Sequence, residues 1–140
     1  MRFWDSSALV PLLIQESDTD RRRVQLADQP DCVVWAFTQV ECVSALTRQN
    51  REGNLTSEAL AAAFQKLTQL SESWVEVNAT KRVRQRAMRL LRQHPLCAAD
   101  SLQLAAALVV YRKNPETLEF VSGDKRLLQC AESEGFKAIP

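Results

Sequence analysis

The stretch Cys32-Val33-Val34-Trp35-Ala36-Phe37-Thr38-Gln39-Val40-Glu41-Cys42-Val43-Ser44-Ala45-Leu46-Thr47 changes period part-way along. From Cys32 to Ala36 every residue is apolar. The run is short and rich in β-branched and aromatic side chains, so it predicts a strand buried on both faces. From Thr38 the apolar residues Val40, Val43 and Leu46 recur at helical spacing, which predicts a helix running to about Arg51. A doubly buried strand feeding straight into a helix is the unit from which parallel sheets covered by helices are built.

Working outward, four further β-rich runs stand out: Arg2 to Trp4, Trp74 to Val77, Leu118 to Val121, and Phe136 to Ile139. All are read as buried strands. Between them lie helical faces, Leu60, Phe64, Leu67 and Leu70 within Thr56 to Ser71, then Val83, Ala87, Leu90 and Leu91 within Thr80 to His94, then Ala98 to Val110. Gly53 suits the left-handed position that ends the first helix. The expected fold class is α/β, a three-layer α/β/α sandwich around a central, mainly parallel five-stranded sheet, with residues 1–140 forming one domain.

The 140 residues are 46% apolar and 25% charged, which excludes intrinsic disorder. A chain of this length buries enough surface to need no disulfide or structural metal. The four cysteines, Cys32, Cys42, Cys97 and Cys130, form no C-x-x-C pair and are read as small hydrophobes. The three tryptophans, Trp4, Trp35 and Trp74, fall in or beside strands and are read as core. The most apolar stretch, Leu102 to Tyr111, is about half the ~20 residues that span a bilayer. The first residues contain no signal-peptide core. The expected location is the cytoplasm, with no membrane contact.

In an open parallel sheet, ligands gather beyond the carboxyl ends of the strands. Asp5 follows the first predicted strand, Glu41 sits in the first turn after the second, and Asp124 follows the fourth. A fourth acid, Asp100, opens a helix with no other charge, where it is expected to be largely buried. Capping explains each acid singly: Asp5 and Asp124 as N-caps, and Thr38-x-x-Glu41 as a capping box. If all four converge, their repulsion calls for a divalent cation. Oxygen-only ligands suit Mg²⁺, with Mn²⁺ as a substitute. The chemistry so implied is metal-assisted phosphodiester hydrolysis.

These residues carry a resemblance. Phe3-Trp4-Asp5-Ser6-Ser7-Ala8-Leu9, Glu41, His94-Pro95-Leu96-Cys97-Ala98-Ala99-Asp100-Ser101-Leu102-Gln103-Leu104-Ala105-Ala106-Ala107 and Val121-Ser122-Gly123-Asp124-Lys125-Arg126-Leu127 resemble a PIN-domain ribonuclease of the VapC toxin type. The resemblance implies an acidic pocket of Asp5, Glu41, Asp100 and Asp124, with Asp5 and Asp100 as direct metal ligands and the other two acting through water. It implies that Ser6 and Ser122 line this pocket. It further implies an RNA substrate and a VapB-like protein antitoxin whose C-terminal segment covers the pocket; homodimers are common in that family. Cys97 departs from the pattern, standing where many relatives have a basic residue.

The net charge of +1 makes no case for nucleic acid, so such a case rests on local clusters. Arg82, Arg86 and Arg89 follow i, i+4, i+7 and share one helix face, the candidate RNA contacts. Arg21-Arg22-Arg23 is a second cluster, open to solvent, RNA or a partner. His94, the only histidine, is left out of the site. A haloacid-dehalogenase-like phosphotransferase would place a second acid at position 7, where Ser7 stands, and a receiver domain gives Asp100 no role. The remaining alternative is a non-catalytic PIN-like scaffold that binds RNA or protein; four retained, mutually repelling carboxylates argue against it.

Overall fold

The computed structural model describes residues 1–111 and 118–140. The chain runs β1 (Arg2–Trp4), α1 (Ser6–Leu13), α2 (Thr19–Asp28), β2 (Cys32–Trp35), α3 (Thr38–Arg51), α4 (Ser57–Ser71), β3 (Val75–Val77), α5 (Lys81–Gln93), α6 (Ala98–Val110), β4 (Glu119–Val121), α7 (Lys125–Ser133) and β5 (Lys137–Ile139). The strands form one sheet in the order β3-β2-β1-β4-β5, and all four pairings are parallel. The α/β/α expectation holds, and the sheet is wholly rather than mainly parallel.

Alternation along the strands divides the core into two. Phe3, Val33, Trp35 and Phe120 face α5, α6 and α7 on one side. Trp4, Val34 and Val121 face α1, α3 and α4 on the other. Phe3 and Phe120 stack across neighbouring strands with ring centroids 5.3 Å apart, and each such buried large side chain contributes about 1.5–3 kcal/mol. All three tryptophans are buried, which gives them to the core and removes base stacking as their role.

Three expectations need correction. Not every strand is buried: β3 exposes Val75 and Glu76, and β5 exposes Lys137, because these two strands form the sheet edges. Cys97 is exposed, while Cys32, Cys42 and Cys130 are buried. The basic triplet is split, since Arg21 and Arg23 point to solvent whereas Arg22 is 0% exposed. Gly53 does take the left-handed conformation, φ +80, just past α3.

The two ends of the sheet are treated differently. At the amino ends of the strands, Glu119 of β4 accepts from Arg2 of β1 and from Lys137 Nζ of β5 at 2.6 Å. Those hydrogen bonds hold its carboxyl below the usual carboxylate range. At the carboxyl ends, Asp5, Glu41, Asp100 and Asp124 form no ion pair among the described residues. Among the described residues no helix is long and apolar enough to cross a membrane.

Candidate active site

From β1 the chain crosses to β2 and then β3 on one side; from β4 it crosses to β5 on the other. The direction of winding reverses between β1 and β4, and that crevice is where the topology of an open sheet leaves room for a ligand. Asp5 and the segment Ser122-Gly123-Asp124 leave the sheet side by side there, joined by the Asp5 amide donating to the Val121 carbonyl at 2.9 Å.

Asp5 does not cap α1 with its side chain. Its carboxylate, 3% exposed, instead accepts at Oδ2 from Ser7 Oγ and from Ser122 Oγ, the latter at 2.9 Å. The two hydroxyls lie 3.2 Å apart, and Ser7 Oγ also accepts from the Gly123 amide at 2.9 Å. A Cβ on Gly123 would meet the Ser7 backbone and side-chain oxygens at 3.4 Å, at the edge of ordinary van der Waals contact, so the loop passes close over Ser7. Burial, with smaller pushes from Asp100 and Glu41 and against the pull of the Ser7 and Ser122 hydroxyls, brings the Asp5 carboxyl up to about 6. Asp100 and Glu41 therefore stand within repulsion range of Asp5.

Glu41 forms no capping box with Thr38, because α3 begins at Thr38 with Phe37 as its N-cap and no side-chain cap hydrogen bond. Its Oε2 accepts from Ser6 Oγ and from Gln103 Nε2, both at 2.9 Å. Ser6 lies on α1 and Gln103 on α6, so one carboxylate ties together helices from opposite faces of the sheet. Asp124 is the acid for which the capping reading holds: its Oδ1 accepts from the Arg126 amide at 2.8 Å and the Leu127 amide at 3.0 Å. Asp100, in the first turn of α6, is half-buried rather than largely buried, since the apolar burial of that helix begins only at Ser101.

A common arrangement emerges. For Asp5, Glu41 and Asp124, the hydrogen bonds from described residues fall on a single carboxylate oxygen, Oδ2, Oε2 and Oδ1 respectively. The protein orients each group through one oxygen while the second is not engaged by those donors. Among the described residues no three His, Cys, Asp or Glu side chains lie close enough to hold an ion as they stand. The acids repel one another, and the one buried guanidinium beside them, Arg22, feels the Asp5 charge while its hydrogen bonds go to Ser122 and Gln25. The donor set is all oxygen, which fits a hard divalent ion. His94 is committed elsewhere, to Glu134 Oε1 at 2.8 Å.

Three residues that support the site were not picked out from the sequence. Ser7 stands beside Ser6, and both hydroxyls hold acids. Gln103, 0% exposed, is the one polar residue in the apolar run from Leu102 to Tyr111, and its i+3 spacing from Asp100 was the available signal. Arg22, fully buried, donates from Nη2 to the Ser122 carbonyl at 3.2 Å and from Nη1 to Gln25 Oε1 at 2.9 Å, bracing the loop that carries Ser122. Of the candidate RNA contacts, Arg89 pairs with Glu134 at 3.0 Å and with Gln93 Oε1 at 2.6 Å. Arg82 is exposed and Arg86 half-buried.

The same architecture occurs in solved structures. PAE2754 from Pyrobaculum aerophilum superposes with a TM-score of 0.67 at 20% identity, covering 98% of this chain and 87% of its own. FitAcB from Neisseria gonorrhoeae gives 0.69 at 14% identity, covering 100% and 97%. A toxin–antitoxin complex from Klebsiella pneumoniae gives 0.63 at 15% identity, covering 90% and 89%. No curated protein matches the chain. At these identities the likeness speaks for the fold alone. The family model described as the PIN domain matches residues 2–133, from the first strand, which delivers Asp5, to the end of the helix that Asp124 caps. On that match the chain belongs to the PIN-domain family.

Proposed function

We propose that this chain is a Mg²⁺-dependent endoribonuclease, Mn²⁺ serving as a substitute, and the cytoplasmic toxin of a VapC-type toxin–antitoxin pair, acting as a single domain. The observation that carries the reading is the buried Asp5 at the sheet's switch point with Glu41 and Asp100 each within repulsion range of it, the three acids delivered by different elements. Asp5 and Asp100 would hold the ion, with Glu41 and Asp124 acting through water. A bound divalent ion supplies Lewis acidity and lowers the pKa of water at the scissile phosphate. Everything else is done by the chain. Ser7 and Ser122 fix the Asp5 carboxylate, Ser6 and Gln103 fix Glu41, and two backbone amides fix Asp124. In the hydrolysis the oxygen of water bonds to phosphorus and one ribose P–O bond breaks; one proton of the water goes to the leaving oxygen and the other is released.

The protein partner is supported by one of the similar structures being a toxin–antitoxin complex. A basic side chain of such a partner would pair with the carboxylates as the ion does. The test is cleavage of purified total RNA by the wild type and by Asp100→Asn, with Mg²⁺, with Mn²⁺ and with EDTA. Discrete fragments that require both the ion and Asp100 are expected. Fragments that persist in EDTA or with Asp100→Asn would refute the site, and no cleavage by folded, antitoxin-free protein would favour a binding scaffold.

A further inference from the structure

A cleft of about 420 Å³ opens beside Glu41, between α1 and α3. Glu41, Ala45 and Arg48 line it from α3 at i, i+4, i+7, a single stripe along one helix face. Val10 of α1 and Val40 of α3 supply apolar walls. Seven residues at the helical rise put Arg48 about 10 Å along the axis from Glu41. One end of the cleft is therefore a carboxylate of the candidate active site, and the other is a guanidinium. Arg48 is exposed and joins none of the ion pairs among the described residues. Its position in the last turn of α3 also suits the helix dipole. Arg51 shares that turn from outside the cleft, so of the two only Arg48 is a cleft wall.

We propose that this cleft is a phosphate subsite for single-stranded RNA, in which Arg48 grips a backbone phosphate next to, or one further from, the scissile one; this rests on the nuclease reading above. The volume is that of a small-ligand pocket, matching a nucleotide unit of a single strand. The carboxylate edge repels an anionic strand, and a lone cation at a set distance along the groove fixes where the strand lies. Arg suits this task because its planar fork binds phosphate in bidentate fashion, which Lys does not reproduce. Val10 and Val40 offer the nucleotide between the two contacts an apolar surface.

The test uses a single-stranded RNA spanning the cut site and a set of the same oligonucleotide with one neutral methylphosphonate at each flanking position. Binding is read by fluorescence anisotropy and cleavage as kcat and KM, for wild type, Arg48→Ala and Arg48→Lys. Arg48→Ala is expected to weaken binding about tenfold, raise KM with kcat kept, and lower the salt slope by about 0.7. In wild type one flanking methylphosphonate should weaken binding by a similar factor, and in Arg48→Ala that penalty should vanish. Arg48→Lys should recover only part of the loss. An unchanged affinity in Arg48→Ala, or a methylphosphonate penalty that persists in it, overturns the subsite. Arg48-dependent RNA binding without any cleavage would remove the nuclease reading and leave the subsite standing. Unchanged RNA affinity with weakened binding of an acidic peptide would assign the cleft to a protein.

Discussion

Asp5 has 3% of its surface exposed, and burial with Asp100 and Glu41 nearby pushes its carboxyl up to about 6. Unfolded, the group ionises near 3.8. Between those values the folded protein keeps a proton that the unfolded chain has lost, so stability falls as pH rises through that window, and above it the metal-free fold carries the whole cost. Asp5→Asn retains an oxygen to accept from Ser7 and Ser122 and carries no charge. In EDTA at pH 7.5 this variant is expected to be more stable than wild type by about 1–3 kcal/mol, with the gain shrinking toward pH 4. Thermal melting at the two pH values checks this, and an equal gain at both would assign the effect to packing. Mn²⁺ should raise the melting temperature of wild type and not of the variant. Asp5 was legible because an acid directly after a buried strand lies at the ligand edge of a parallel sheet. Ser7 was not, because its hydroxyl is recruited by Asp5 and Gly123 only once β1 and β4 adjoin.

Glu41 shows how elements cooperate. It lies on α3, yet its orientation depends on α1 through Ser6 and on α6 through Gln103. The capping box expected at Thr38 does not form, since Thr38 is itself the first helical residue and the Glu41 side chain has two better donors across the fold. Gln103→Leu keeps the side chain's bulk in an apolar helix and removes the donor. It is expected to lower cleavage about 10–100-fold, the usual effect of losing a group that orients a metal ligand, with the melting temperature little changed. Kinetics in Mn²⁺ beside a melting curve decide the matter, and full activity in Gln103→Leu would remove Gln103 from the site.

The whole molecule carries a net charge of only +1, so attraction to RNA depends on where cations stand rather than how many there are. Arg82, Arg86 and Arg89 share a face of α5, but Arg89 is held by Glu134 and Gln93. Arg82→Ala combined with Arg86→Ala should lower the slope of log affinity against log salt by about 1.4, at roughly 0.7 per single-strand phosphate contact. Arg89→Ala should leave the slope as it is, since that guanidinium is already paired. RNA titrations at four or five salt concentrations separate the cases, and a slope equal to wild type in the double variant would make that face a solvated surface only.

The sequence by itself was sufficient for the strands, the helices α3 to α6, the α/β class and the arrival of four acids near strand ends or helix starts, because periodicity, turn chemistry and capping preferences act between near neighbours; α2, polar along most of its length, carried no such pattern. Strand order was beyond the sequence. Setting β4 beside β1 is what brings Ser122 to Asp5 across 117 residues and Arg22 to Ser122 across 100. The layering of α3 and α6 brings Gln103 to Glu41 across 62. Such contacts form when two elements bury their apolar faces on one sheet. The residues that meet there carry no pattern in their own neighbourhoods, so only the tertiary structure decided which carboxylate oxygens are held and by which donors.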